Sequence, residues 1–193
     1  IIVMECAGTP LTDAQSDLIE ANCDLLFDFS RDKDVQAIYQ SDNWDVVKNS
    51  TEIMCFGRAL RMCQDDGDFE GMDRIHKMSG RYILNDDFNL DVYDQHPDKI
   101  IVKQRMTSQF PYQLTLVDRQ YMSRLWSWPV GMNAEIVNAY EQGFGYIAER
   151  ISAGGYCDIE HMLYKFLPAE HIHEVARTGV SGNIGPNGQR IDD

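Results

Sequence analysis

The sequence predicts an α/β fold: one domain over residues 1–193, with a central mixed, mostly parallel sheet flanked by helices. Two observations carry this expectation. Short apolar runs alternate with stretches of helical period through the first half of the chain, the order that builds a parallel-centred sheet. The 193 residues are 44% hydrophobic and 25% charged, enough to bury one core without a disulfide or metal staple. No internal repeat or low-complexity tract interrupts the pattern.

Taken in order, Ile1 to Cys6 is an apolar run ending at Gly8-Thr9-Pro10, a buried strand and a turn. It opens without an initiator Met, inside the strand-like run, which leaves room for an upstream strand and helix. Thr12 or Asp13 caps a helix to about Ala21, and Leu25 to Phe29 is a second strand followed by the charged loop Arg31-Asp32-Lys33-Asp34. Asp42 or Asn43 starts the clearest helix, about Asp45 to Cys63, with Val46, Val47, Ser50, Ile53, Met54, Gly57, Leu60 and Arg61 on one face. Asp65-Asp66-Gly67-Asp68 ends it as a solvated turn, its spacing foreign to a calcium loop.

Met72 to Met78 reads as a third strand running into Ser79-Gly80-Arg81-Tyr82. Ile100 to Met106, Gln113 to Val117 and Tyr121 to Trp128 read as further strands. Gly131 to Ser152 is a long helix, and Asp158 to Phe166 a short one capped by Asp158. Ile172 to Ala176 is a last extended segment, and the Gly-, Asn- and Pro-rich residues 179–188 read as a loop or tail.

Composition narrows the function classes. With 17 Lys and Arg against 31 Asp and Glu, the net charge is −14. That lacks the basic footprint of a nucleic-acid binder and opposes an anionic membrane surface. No apolar run approaches 18 residues, so no membrane span is expected. The cysteines Cys6, Cys23, Cys55, Cys63 and Cys157 are odd in number and match no zinc spacing. They read as reduced thiols in a cytoplasmic protein.

The densest chemistry lies in Lys77, Ser79, Gly80, Arg81, Tyr82, Asn85, Asp86 and Asp87. Two cations within five residues bracket a glycine at a strand end, where ligands of α/β sheets bind. Arg offers a fork for phosphate oxygens, Lys a point charge, and Gly close approach to the backbone. Adjacent carboxylates supply the hard oxygens that a divalent ion on a diphosphate needs. The same residues also read as a strand end with surface charges and a turn. A second cluster, Asp158, Glu160, His161, His171 and His173, offers a carboxylate base or a histidine pair for a metal, or only an N-cap and solvated histidines. Trp126-Ser127-Trp128 places two indoles on one strand face, for stacking on a sugar or, more simply, for core packing.

The stretch Arg74-Ile75-His76-Lys77-Met78-Ser79-Gly80-Arg81-Tyr82-Ile83-Leu84-Asn85-Asp86-Asp87-Phe88 resembles the Lys-x-Ser-Gly-Arg-Tyr core of glycosyltransferase-A-like proteins of bacteria and viruses. Ile2-Val3-Met4-Glu5, the helix with Asn49 and Glu52, Asp158-Ile159-Glu160-His161-Met162-Leu163-Tyr164 and residues 179–188 resemble other segments of that group. The resemblance implies a nucleotide-binding α/β domain that moves a sugar from a nucleoside diphosphate sugar donor to a glycan or other hydroxyl acceptor. It implies that Lys77, Ser79, Gly80, Arg81 and Asn85 hold the donor diphosphate. It further implies a divalent cation, manganese or magnesium, at Asp86 and Asp87, with Asp87 among the catalytic groups and Glu160 as the base. The group's Asp-x-Asp motif is here Asn85-Asp86-Asp87. Two other classes remain: a non-catalytic α/β module for a glycan or nucleotide, and a phosphate-handling hydrolase, for which there is neither a Walker loop nor a Gly-x-Ser-x-Gly elbow.

Overall fold

The computed structural model describes residues 1–184 and 188–193. The chain opens with β1 (Ile2–Glu5), α1 (Asp13–Glu20), β2 (Leu25–Asp28), α2 (Lys33–Ile38) and the long α3 (Trp44–Asp66). Then come β3 (Arg74–Met78), β4 (Tyr82–Leu84), α4 (Asp91–Gln95), β5 (Ile100–Lys103), β6 (Met106–Thr107), α5 (Tyr112–Thr115), β7 (Arg119–Gln120) and β8 (Leu125–Pro129). The last elements are α6 (Asn133–Ser152), α7 (Ile159–Phe166), β9 (Ile172–Val175), β10 (Val180–Asn183) and β11 (Arg190–Asp192).

The helix ends follow local chemistry. Thr12 and Gln15 close a capping box on α1. Asn43 caps α3 by accepting from the amides of Asp45 and Val46 at 3.0 and 3.4 Å. Gly67 stops α3 in the left-handed region, with φ of 79°, where a side chain would be strained. Asp158 caps α7, as expected.

The fold is mixed α/β, and its strands form several small sheets. β1 pairs with β2, and β3-β8-β5-β9 make a four-stranded sheet. β11-β10-β4 and β6-β7 complete the set. Among the described residues only β1 with β2 and β5 with β9 run parallel. β8 lies antiparallel between β3 and β5. The expected parallel majority is therefore corrected: β8 is buried on both faces, so it reads as a continuous apolar run that carries no sign of its direction.

The core fills the space between the four-stranded sheet and the packed pair α3 and α6, with Ile53, Leu60, Ile100, Trp126, Trp128, Ile136 and Ile147 at its centre. Trp126 and Trp128 are wholly buried with ring centroids 4.5 Å apart, so they pack the core. Three other expectations shift. Lys33 onward forms α2, because Asp32 accepts from the amides of Asp34 and Val35 and caps it. The expected strand at Gln113 to Val117 is the short turn of α5. Within 179–188, Val180–Asn183 is a strand held by β4 and β11, while residues 185–187 of that expected loop lie outside the described residues. None of the described helices is long and apolar enough to cross a membrane.

Candidate functional site

A cleft of about 560 Å³ opens between β1, α3 and the end of β3. β3 delivers Lys77 into it, and the turn after β3 delivers Ser79, Gly80 and Arg81. That turn is tight: the Tyr82 amide donates to the Ser79 carbonyl at 3.1 Å, and the Ser79 amide donates to the Arg124 carbonyl at 2.9 Å. A Cβ built on Gly80 would meet nothing within 4 Å, so its backbone faces open space. Arg81 is exposed beside it.

Lys77 is buried, and its three donors are directed inward. Nζ donates to Ser79 Oγ at 3.0 Å and to the Ser123 carbonyl at 3.1 Å, and it stands 3.4 Å from Glu52 Oε1. Burial of an ammonium is tolerable only with such partners. Ser123 in turn donates its hydroxyl to Glu160 Oε1 at 2.6 Å. One residue thus links the Lys77 ammonium to the Glu160 carboxylate. Burial pushes the Glu160 carboxyl above its ordinary range, helped by the charges of Asp158 and Glu52, while the Ser123 hydroxyl opposes the shift.

The opposite wall is α3. Trp44, Lys48, Glu52 and Phe56 all line the cleft. They recur every four residues, about 6 Å apart along a helix. Tyr39 meets Trp44 edge to face, with centroids 6.3 Å apart. Glu5 closes the β1 side, its carboxylate accepting from the Ala7 amide at 2.6 Å. The cleft therefore carries an aromatic mouth, three cations (Lys48, Lys77 and Arg81) and two carboxylates (Glu5 and Glu52).

Four of the sequence-predicted residues meet here: Lys77, Ser79, Gly80 and Arg81. The others stand elsewhere. Asn85 donates to Ser181 Oγ at 2.9 Å and accepts from the Asp87 amide at 2.9 Å. It ties the end of β4 to β10. Asp87 pairs with Arg177, and Asp86 is exposed on the same turn. This placement does not fit a cation that bridges a diphosphate at Lys77 and Arg81. Asp87 is committed to another cation, and the acids beside the cleft are Glu5 and Glu52. Among the described residues no three His, Cys, Asp or Glu side chains are grouped to hold a metal ion.

In the C-terminal cluster, Asp158 serves α7. Its carboxylate accepts from the His161 amide at 3.1 Å and pairs with the His161 ring, whose other nitrogen lies 2.8 Å from Ser108 Oγ. His161 is fully buried and joins three segments. His171 and His173 do not act together: His171 lies in a single helical turn before β9, and His173 stacks on His96 at 3.7 Å.

Sequence reasoning missed Trp44, Lys48 and Ser123. The first two carried a signal, a polar and aromatic stripe at four-residue spacing on α3. Ser123 carried none, because it matters through its carbonyl as much as its side chain. No family model matches the chain, and no curated protein matches it either.

Proposed function

We propose that the chain is a glycosyltransferase that moves a sugar from a nucleoside diphosphate sugar to a hydroxyl of a glycan or other acceptor, on a glycosyltransferase-A-like nucleotide-binding fold in the cytoplasm. The observation that carries the reading is the convergence of Lys48, Lys77, Arg81 and the open Gly80 backbone on one cleft beyond the ends of β1 and β3. Three cations around an exposed backbone suit a diphosphate, which must be held and neutralised as it leaves.

The stripe on α3 gives the donor a direction. Trp44 and Tyr39 stack on the nucleobase at the mouth. Lys48 and Arg81 take the phosphates. Glu52, one helical step deeper, accepts hydrogen bonds from the sugar hydroxyls, with Lys77 between sugar and phosphate. Glu160 is the base on the acceptor hydroxyl. Its raised pKa makes the ionised carboxylate a stronger proton acceptor than an ordinary one. The positive charge comes from the side chains, and no step is assigned to Asp86 or Asp87.

A non-catalytic nucleotide- or glycan-binding module is the second reading, favoured by the position of Asp86 and Asp87 away from the cleft. Incubation with a panel of nucleoside diphosphate sugars, followed by assay of released nucleoside diphosphate, separates the two. The transferase reading predicts release that is lost in Glu160→Gln while nucleotide binding persists. Binding with no release from any donor in the panel would favour the module.

A further inference from the structure

A chain of polar side chains joins Ser108, His161 and Asp158, none of which lines the cleft. Ser108 follows β6 and is half-buried, whereas Asp158 and His161, at the start of α7, are buried. His161 Nδ1 lies 2.5 Å from Asp158 Oδ1, and Nε2 lies 2.8 Å from Ser108 Oγ. An ionised carboxylate only accepts, so Nδ1 carries the hydrogen, and in the neutral ring Nε2 turns its lone pair to the serine hydroxyl. Asp158 is itself held: Oδ1 accepts from the His161 amide at 3.1 Å and Oδ2 from the Tyr156 hydroxyl at 3.4 Å. Ser108 Oγ is fixed as well. It accepts from the Phe110 amide at 3.0 Å, and its one hydrogen has two acceptors at 2.8 Å, Nε2 and the Phe110 carbonyl. A helix cap needs only the bond from Asp158 to the His161 amide. The wholly buried imidazole, and its second bond to a partly exposed hydroxyl, go beyond that need. Nucleophile, base and orienting acid are recognised by this geometry and not by their places in the chain.

We propose that Ser108 is a nucleophile toward small esters with an apolar acyl group, with His161 as its general base and Asp158 as the residue that positions the ring. Oγ attacks the ester carbonyl carbon from the exposed side of Ser108 while its proton passes to Nε2. The bond to the leaving oxygen then breaks, Nε2 returns the proton to that oxygen, and an alcohol departs. The leaving oxygen is bonded to the same carbon as Oγ, so it comes within reach of Nε2 without exposure of the ring. Water attacks the acyl-serine, Nε2 takes its proton and passes it to Oγ, and the carboxylic acid leaves. The next amide along the chain, that of Gln109, donates to the Gln120 side-chain oxygen at 2.8 Å, a partner that a carbonyl oxyanion replaces. Phe110 packs on Tyr156 with ring centroids 4.2 Å apart, and this pair gives the acyl group an apolar surface. The proposal rests on these three side chains and not on the glycosyltransferase reading, so either can fail alone.

The test treats the folded chain with diisopropyl fluorophosphate and reads the intact mass and the modified peptide. Nitrophenol released from p-nitrophenyl butyrate is followed in parallel. Wild type is compared with Ser108→Ala and with Asp158→Asn, in which Asn keeps the helix cap, and each is melted to establish that it is folded. The expected result is a phosphoryl adduct on Ser108 of wild type, continuing release of nitrophenol, and neither in Ser108→Ala. Both rates should fall at least about a hundredfold in Asp158→Asn. A hydroxyl with only a structural part to play gives no adduct. The proposal is overturned by folded wild type that takes no adduct, by an adduct confined to another residue, by release of nitrophenol that is absent or persists undiminished in Ser108→Ala, or by equal labelling rates in wild type and folded Asp158→Asn. If Asp158→Asn does not fold, wild type and Ser108→Ala decide the matter without it.

Discussion

The Lys77 ammonium lies 3.4 Å from the Glu52 carboxylate inside the cleft, so the buried cation that would meet a diphosphate already faces an acid that would repel one. The pair sets a balance that substitution can tip. Glu52→Gln removes the repulsion and leaves Lys77 its bonds to Ser79 and the Ser123 carbonyl. We expect tighter binding of a free nucleoside diphosphate, by a few-fold, together with weaker binding of the intact sugar nucleotide, whose hydroxyls lose an acceptor. Lys77→Met leaves Glu52 and the Ser123 carbonyl without their donor. It should cost about 1–3 kcal/mol of stability as well as nucleotide affinity. Calorimetric titration and denaturant melts separate the two effects.

Asp87 gives the opposite expectation. Its carboxylate pairs with Arg177 on an exposed turn, and an exposed pair contributes about 0–1 kcal/mol. Asp87→Asn should leave nucleoside diphosphate affinity unchanged, with excess chelator and with manganese alike, and lower stability only slightly. Loss of a manganese-dependent gain in affinity in this variant would return Asp87 to the donor site.

Glu160 makes stability depend on pH. Folding raises its pKa, so the folded chain keeps this proton to higher pH than the unfolded chain does. The stabilisation is fully present below the ordinary carboxyl value of 4.5 and is lost as pH rises through the folded value. Glu160→Gln should therefore flatten the stability profile between those two values and raise stability at neutrality relative to wild type. Urea melts across the acid-to-neutral range check this. An unchanged profile would mean that Glu160 is not held in the environment described.

The cysteines report on burial. Burial pushes the thiols of Cys55, Cys63 and Cys157 up to about 12 and that of Cys6 up to about 11. All five are free. A thiol reagent at mildly alkaline pH should react slowly with these four in the folded protein, and with all five after unfolding without reductant. Fewer than five reactive thiols in the unfolded chain would reveal a disulfide.

Much of this arrangement was legible in the residues. Thr12, Asn43 and Asp158 announce their helices because capping is local chemistry, and Lys77 to Arg81 announce a turn at a strand end, which lies on the wall of the cleft. What stayed hidden depends on partners distant in sequence. Nothing near Asn85 tells that its amide serves Ser181, or near Asp87 that Arg177 claims it. The direction of β8 stayed hidden for the same reason: buried on both faces, it shows an apolar run that fits either orientation. Lys48 and Trp44 were readable as a stripe on α3, but the apolar face of the same helix dominated its pattern.

Arg81 tests the central claim most directly, because it is exposed at the cleft and its removal disturbs little else. Calorimetric titration of a panel of nucleoside diphosphates into wild type and Arg81→Ala, paired with melting curves, is the decisive measurement. The account predicts saturable wild-type binding of at least one nucleotide, weakened at least about tenfold in Arg81→Ala, the worth of one charged contact of about 1.5–3 kcal/mol, with an unchanged melting temperature. Equal affinity in the two proteins, or no binding of any nucleotide by the folded wild type, would contradict it.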